Sequence, residues 1–151
     1  METGGGGQEA ALSDQKGSGA EEDRFGFLYE GVTLIPGEVF ESSMLGGCSG
    51  VSEVPSCAFD GNDRVYNYGA FELTTYGGEE DERVYSVYFI DSNLPTTEGL
   101  CLGDRVEDMK SLYGEEYAAE GAAYTYTRGE TLLTVITRDD IVVSIEYRLD
   151  R

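Results

Sequence analysis

The stretch Gly99-Leu-Cys-Leu-Gly-Asp-Arg-Val-Glu-Asp-Met-Lys-Ser-Leu-Tyr-Gly114 decides the predicted fold, because the chain contains a second version of it. The earlier copy runs from Gly31 to Gly46 and has Leu34 in the place of Leu102. After each copy come a Tyr-x-Tyr pair and a strand-like segment, Val84–Phe89 in the first half and Val142–Tyr147 in the second. A supersecondary unit that recurs in this way is typical of a fold built from consecutive modules.

Each copy predicts a short helix. In the second copy Asp104 is placed to cap the helix and Glu107, three residues later, to complete a capping box. The predicted buried stripe consists of Val106, Met109, Leu112 and Tyr113. In the first copy the residues from Glu38 to Leu45 predict a shorter helix, which ends at Gly46 and Gly47.

The remaining segments alternate or are rich in β-branched and aromatic residues, which is typical of strands. The predicted strands are Phe25–Tyr29, Val51–Phe59, Val65–Tyr76, Val84–Ile90, Ala123–Thr127, Leu132–Thr137 and Ile141–Leu149. Two short turns, Arg128-Gly129 and Asp139-Asp140, separate the last three of them.

These elements predict an α+β fold of two tandem modules, each a helix plus antiparallel strands, with the helices packed on one face of a curved sheet. The folded domain is predicted to span 25–151, with repeats at about 25–91 and 96–150. Residues 1–24 contain six glycines and six acids and hardly any apolar side chains. They are predicted to form a disordered tether, because they cannot bury enough surface to offset chain entropy.

Composition narrows the possible functions. The formal charge of −20 would repel a nucleic acid. No window approaches the roughly 18 apolar residues of a membrane span. The chain has no His, so Ser-His and Cys-His nucleophiles are excluded, and neither the acidic clusters nor the cysteine spacing matches a metal site. We therefore predict no catalytic residue, no cofactor and no metal.

Three cysteines leave the redox state open. Cys48 and Cys57 lie nine positions apart in a segment with Gly, Ser and Pro, where a disulfide could form. Cys101 lies between two leucines and fits a small buried apolar residue.

The two halves differ on the face of the sheet that points away from the core. In the last strand Val143, Ile145, Tyr147 and Leu149 alternate with Ser144, Glu146 and Arg148, which predicts one buried and one solvated face. In the first half Tyr85, Val87 and Phe89 take the inward positions. Tyr88 and Ile90 then fall where Glu146 and Arg148 lie in the second half.

This asymmetry predicts a surface that binds a protein or a glycan. Its candidate residues are Tyr88, Ile90, Tyr76, Tyr66 and Tyr68. Tyrosine offers apolar area and a hydroxyl at little entropic cost. The alternative is that the strand tyrosines only pack against cross-strand neighbours.

The Gly-x-x-Leu lead-in, the short capped helix, the closing Leu-Tyr-Gly and the Tyr-rich meander resemble the tandem-repeat fold of the beta-lactamase inhibitory protein family. They are also similar to SmpA/OmlA-type small lipoproteins and to lipoproteins of Gram-positive gut bacteria with such repeats. The resemblance covers roughly Tyr29 to Asp150. No inhibitory residue of that family can be matched to a numbered position here.

The resemblance implies an extracytoplasmic, cell-surface protein, often anchored through a lipidated Cys that precedes a flexible tether. The printed sequence contains neither that Cys nor an export signal, and Met1 leads directly into Glu, Thr and four glycines. Taken alone, that start indicates a cytoplasmic protein.

The leading functional hypothesis is a non-enzymatic binding or assembly module that uses an exposed sheet face. The alternative is a structural domain that forms a homodimer through the same face. A small hydrolase that relies on carboxylates alone has no supporting feature in the sequence.

Overall fold

The computed structural model describes residues 24–56, 61–78 and 81–150. Over these residues the chain forms ten strands, one α-helix and one 3-10 turn. The strands are β1 Phe27–Tyr29, β2 Val32–Leu34, β3 Gly50–Pro55, β4 Asn62–Asn67, β5 Phe71–Tyr76, β6 Arg83–Phe89, β7 Ala118–Glu120, β8 Ala123–Arg128, β9 Thr131–Arg138 and β10 Ile141–Leu149. The 3-10 turn is Ser42–Met44, and the helix α1 is Val106–Tyr113. Of the predicted tether, residues 1–23 lie outside the described residues.

Eight strands form one antiparallel sheet in the order β3-β4-β5-β6-β10-β9-β8-β7, and β1 and β2 form a separate two-stranded sheet. The large sheet consists of two four-stranded meanders whose last strands, β6 and β10, pair at the centre. In that pair Tyr88 lies opposite Glu146. Both are the fifth residue of the repeated segments Val84–Phe89 and Val142–Tyr147. The two meanders are therefore related by an approximate two-fold axis that passes between Tyr88 and Glu146.

The predicted α+β class is wrong, because the structure is mainly β and has one short helix. The predicted helix from Glu38 to Leu45 contains only the 3-10 turn Ser42–Met44. Serines favour turns over helix interiors, and the two glycines at 46 and 47 end the segment. A segment this short has no stability of its own and needs a buried apolar stripe, which these serines cannot supply.

Helix α1 forms as predicted in position, but its cap differs. The N-cap residue is Arg105, whose backbone N–H donates to the Asp108 carboxylate at 3.0 Å. The carboxylate of Asp104 instead accepts the backbone N–H of Cys101 at 2.9 Å. In the predicted stripe Val106 and Met109 are buried and Tyr113 is half-buried, whereas Leu112 is exposed.

The two copies of the lead-in segment correspond through their hydrogen bonds to the sheet. The N–H of Gly37 donates to the carbonyl of Val84, and the N–H of Gly103 donates to the carbonyl of Val142, each at 2.8 Å. Both glycines have a φ of +95°, which is rarely open to other residues. Gly37 therefore corresponds to Gly103. This match pairs Leu34 with Leu100, not with Leu102, so the sequence alignment of the copies was displaced by two residues.

Each half contains a β-bulge at the same place. Tyr85 is the extra residue of β6 between the pairs Thr74–Ser86 and Thr75–Val84. Val143 is the extra residue of β10 between the pairs Ile136–Ser144 and Thr137–Val142. An extra residue in a strand reverses the alternation of inward and outward side chains on one side of the bulge. The predictions that Tyr85 and Val143 point inward are therefore wrong: Val84 and Val142 are buried, Tyr85 is half-buried and Val143 is exposed.

The predicted single strand from Val65 to Tyr76 is two strands, β4 and β5, joined by a tight turn. The side-chain carbonyl of Asn67 accepts the N–H of Gly69 at 2.8 Å, and Gly69 has a φ of +84°. Asn followed by Gly two residues later is a turn signal that outweighs the strand pattern around it.

The β1–β2 hairpin closes the core over the middle of the large sheet. Phe27 is fully buried, with its ring centroid 5.2 Å from Phe71, 4.9 Å from Phe89 and 6.1 Å from Tyr147. The first two partners belong to the first meander and Tyr147 to the second. One core therefore serves both halves.

The predicted turn at Asp139-Asp140 is confirmed, and both residues have positive φ, +54° and +66°. This is the backbone of a type I′ turn, in which Gly at the second position relieves strain. We expect Asp140→Gly to raise the free energy of unfolding by about 0.5–1 kcal/mol, measured by urea denaturation. Asp140→Asn, which removes the charge but keeps a side chain, is the control. An equal gain in both variants would mean that charge, not backbone strain, limits this turn.

Candidate functional site

The large sheet has two faces of different character. The core face carries Phe71, Val87 and Tyr147, and the β1–β2 hairpin and α1 pack against it through Phe27 and Met109. We call the opposite side the outer face. No described element packs onto the outer face.

Large apolar side chains are exposed on the outer face near the centre of the sheet. Tyr88 on β6 is 43% exposed and Ile90, which directly follows β6, is 46% exposed, while Ile136 on β9 and Val143 on β10 are 39% and 44% exposed. Edge strands often leave such side chains open, but β6, β9 and β10 are interior strands of this sheet. The exposure therefore results from the absence of a covering layer among the described elements.

A row of side chains crosses the outer face through the approximate two-fold axis. Glu72 on β5 lies opposite Tyr88, and Tyr88 lies opposite Glu146, which in turn lies opposite Thr134. Directly opposed residues on adjacent strands have Cβ atoms about 4.5–5.5 Å apart. The Tyr88 side chain thus stands between two carboxylate-bearing residues.

A second row of cross-strand neighbours lies two residues along the strands from the first. Its side chains are more polar and more buried. Ser86 lies opposite Arg148, and Thr74 lies opposite Ser86. Ser86 is buried by its neighbours, and Arg148 is half-buried. Beyond it Tyr76 meets the bulge residue Tyr85 in an edge-to-face contact of 6.4 Å. The bulge thus places an additional tyrosine on the outer face.

Burial raises the pKa of the Glu146 carboxyl, and the neighbouring Arg148 lowers it in part. The ionised carboxylate is therefore less stable in the folded chain than in the unfolded chain. The burial of Glu146 therefore costs no stability below the ordinary pKa of 4.5, where the carboxyl is protonated in both states. The loss of stability appears as the pH rises from 4.5 through the raised pKa of the folded chain.

We expect Glu146→Gln to raise the melting temperature slightly at pH 7, because the amide carries no charge to desolvate. Below the ordinary Glu pKa the variant and the parent should melt together, since both are then neutral at this position. Thermal melts at the two pH values check this. A gain that persists at the acidic pH would contradict the desolvation cost and indicate better hydrogen bonding by the amide.

The structure divides the predicted site residues between the two faces. Tyr88 and Ile90 lie on the outer face and are exposed, and Tyr76 lies there and is half-buried. Tyr66 and Tyr68 lie on the core face and are buried, so they are not part of that surface. The reason is the turn at Gly69, which the prediction of one long strand had missed.

Both buried tyrosines belong to the core of the first half. The Tyr66 hydroxyl donates to the Glu82 carboxylate, and its ring lies 5.2 Å from Phe40. Burial raises the pKa of Tyr68 to about 12. Sequence reasoning placed Glu146 on the solvated face but did not name it as a binding residue. It also did not name Glu72, Tyr85, Ile136 and Val143, and the positions of Tyr85 and Val143 depend on the bulges.

The Cys48–Cys57 disulfide stays a prediction. Cys48 is exposed, and its thiol lies 3.2 Å from the carbonyl oxygen of Gly50. Cys57 lies outside the described residues. Cys101 is half-buried, and burial raises the pKa of its thiol.

Within residues 24–56, 61–78 and 81–150, no group of three or more Cys, Asp or Glu side chains is placed to hold a metal ion. In the same part of the chain no helix has the length and apolar character needed to span a membrane.

Comparison of the chain with protein-family models, curated protein sequences and solved structures gives no match. The resemblance to the beta-lactamase inhibitory protein family therefore stays a prediction.

Proposed function

We propose that the protein is a non-enzymatic binding or assembly module that engages a partner through the outer face of its large sheet. The observation that carries this proposal is the exposure of Tyr88, Ile136 and Val143 on interior strands, together with that of Ile90 directly after β6. Apolar side chains grouped at the centre of an uncovered sheet are a frequent mark of an interaction surface. Tyrosine is enriched at such surfaces, because it combines a large apolar ring with a hydroxyl.

The two edges of the large sheet are poorly suited to pairing with a partner strand, which supports the outer face as the contact surface. At one edge β3 contains Pro55, which has no N–H to donate, and Glu53, which is charged. At the other edge β7 is only three residues long. Short strands, Pro and charges are the devices that block strand addition. An association through the edges is therefore disfavoured.

The homodimer alternative uses the same face, and net charge argues against it. Two copies, each with a formal charge of −20, repel one another at low ionic strength. Sedimentation across a dilution series should give the mass of a monomer. A mass that falls with dilution would favour the homodimer instead.

We expect Tyr88→Ala/Ile90→Ala to leave the free energy of unfolding within about 1 kcal/mol of the parent, because exposed side chains contribute little to stability. Urea denaturation measures this. A loss of several kcal/mol would mean that the two side chains are buried in the molecule in solution, and the proposed binding face would then be excluded.

Binding itself is tested by photo-crosslinking in the native host. A benzoyl-phenylalanine at position 88 should give one discrete adduct, and the same group at Leu28, which is exposed on the β1–β2 hairpin, should give none. Unlabelled parent protein should compete for the adduct, whereas the Tyr88→Ala/Ile90→Ala variant should not. Equal crosslinking from both positions, or competition by the variant, would overturn the proposal.

The cellular site remains a proposal that rests on the resemblance. An extracytoplasmic, lipid-anchored position would expose the outer face to soluble or surface partners. Of residues 1–24, which would form the tether, 1–23 lie outside the described residues.

A further inference from the structure

We infer that the outer face recognises a basic segment of a protein partner, with an Arg or Lys side chain lying on the Tyr88 ring between the carboxylates of Glu72 and Glu146. This inference rests on the proposed function, since it names the chemistry of the partner for the same surface. It depends on the register of three adjacent strands and on the charge of the chain.

The register places an acceptor on each side of an aromatic ring. Glu72, Tyr88 and Glu146 are direct cross-strand neighbours on β5, β6 and β10. Tyr88 is 43% exposed, so part of its side chain is accessible to a ligand. A guanidinium or ammonium group is attracted to an open aromatic face, and its N–H groups point outward toward flanking acceptors. Glu72 and Glu146 supply one such carboxylate on each neighbouring strand.

The charge of the chain favours a cationic partner over a neutral or acidic one. Acids outnumber bases 30 to 10, and the field of this excess attracts basic segments from beyond contact distance. A neutral glycan would stack on the tyrosine as well, but it would gain nothing from the excess of negative charge.

Arg148 modifies the row without neutralising it. It lies two residues beyond Glu146 on β10, opposite Ser86, and it partly offsets the negative charge of Glu146. Glu72 is two strands away on β5. The three charged side chains keep a net negative charge around Tyr88. Burial of Glu146 also favours binding of a cation, because a cation compensates for the water that the carboxylate has lost.

The test uses two labelled peptides of equal length, one of alternating arginine and glycine and one of alternating citrulline and glycine. Citrulline has nearly the shape of arginine but carries no charge. We expect the arginine peptide to bind and the citrulline peptide to bind at least five-fold more weakly. Amide chemical shifts should change around Tyr88 on β5, β6 and β10, and binding should weaken as salt is added, because salt screens exposed charges.

Matched variants separate the local site from the net charge. Glu72→Gln/Glu146→Gln and Glu116→Gln/Glu130→Gln each remove two charges, but Glu116 precedes β7 and Glu130 lies in the β8–β9 turn, outside the row of Glu72, Tyr88 and Glu146. We expect the first pair to weaken binding about five-fold and the second less than two-fold, since each exposed ion pair contributes modestly. Tyr88→Leu, which keeps apolar area but loses the aromatic ring, should weaken binding about three-fold.

Equal weakening by the two charge variants would overturn the inference, because net charge alone would then explain the attraction. Equal binding of the citrulline peptide at the outer face would also overturn it, and would leave the proposed function supported. Binding of neither peptide would exclude cation recognition, whereas the crosslinking from position 88 reports separately on whether the face binds a partner at all.

Discussion

Phe27→Ala should lower the free energy of unfolding by about 3–5 kcal/mol. Phe27 is fully buried on β1, and its ring packs on Phe71, Phe89 and Tyr147. Removing the ring leaves a cavity between the hairpin and the centre of the large sheet. Since the partners come from both meanders, the surrounding side chains cannot close that cavity without a shift of the sheet itself. Urea denaturation followed by far-UV circular dichroism measures the loss.

Leu28→Ala is the matched control, because Leu28 follows Phe27 on the same strand and is 53% exposed. It should change the free energy of unfolding by no more than about 0.5 kcal/mol. Both variants should unfold in one transition, since one core serves both meanders. A loss below 1 kcal/mol for Phe27→Ala, or two separate transitions, would mean that the β1–β2 hairpin does not join the two halves into one cooperative unit.

Local patterns predicted the second half of the chain well. The strands Ala123–Thr127, Leu132–Thr137 and Ile141–Leu149 were placed within one residue of β8, β9 and β10. Two-residue hairpins and alternating apolar residues are short-range signals that locate strands from a single sequence, although the bulge at Val143 interrupts the alternation in β10. The same reasoning located α1, whose stripe buries Met109 completely.

Local sequence patterns did not predict the fold class. An apolar stripe at Glu38–Leu45 resembled the one in α1, but the first copy forms only a 3-10 turn there. Whether a short segment becomes a helix depends on the tertiary contacts that its buried positions make. The β-bulges could not be predicted either, because the alternating pattern of the sequence continues without interruption through Tyr85 and Val143.

The candidate surface was predicted in part. Comparison of the two halves pointed to Tyr88 and Ile90, and these lie on the outer face. Tyr66 and Tyr68 were assigned to the same surface because the tyrosines of the predicted strands have alternating spacing, but that spacing does not say which face of the sheet they take. That depends on the turn at Gly69, which ends β4 before β5 begins. The acidic neighbours Glu72 and Glu146 needed the strand register, which no local signal gives.

Glu82→Ala should also be strongly destabilising, by about 3 kcal/mol or more. The Glu82 carboxylate accepts the Tyr66 hydroxyl at 2.5 Å and the Thr75 hydroxyl at 2.7 Å, and it pairs with Arg64 at 3.4 Å. Its side chain is only 10% exposed. The substitution leaves three donors on β4 and β5 without this acceptor, and buried groups without a partner cost more than the bond itself contributes.

Glu53→Ala is the control, because Glu53 pairs with the same arginine, at 3.8 Å, but is 58% exposed. It should cost less than about 1 kcal/mol, as exposed ion pairs do. A double-mutant cycle then separates the contributions: Tyr66→Phe should cost clearly more in the parent than in the Glu82→Ala background, where its acceptor is already absent. Equal costs in both backgrounds would mean that the hydroxyl of Tyr66 gains nothing from the carboxylate. The cost of Glu82→Ala would then come from Thr75 and Arg64, and Tyr66 would contribute through the packing of its ring against Phe40.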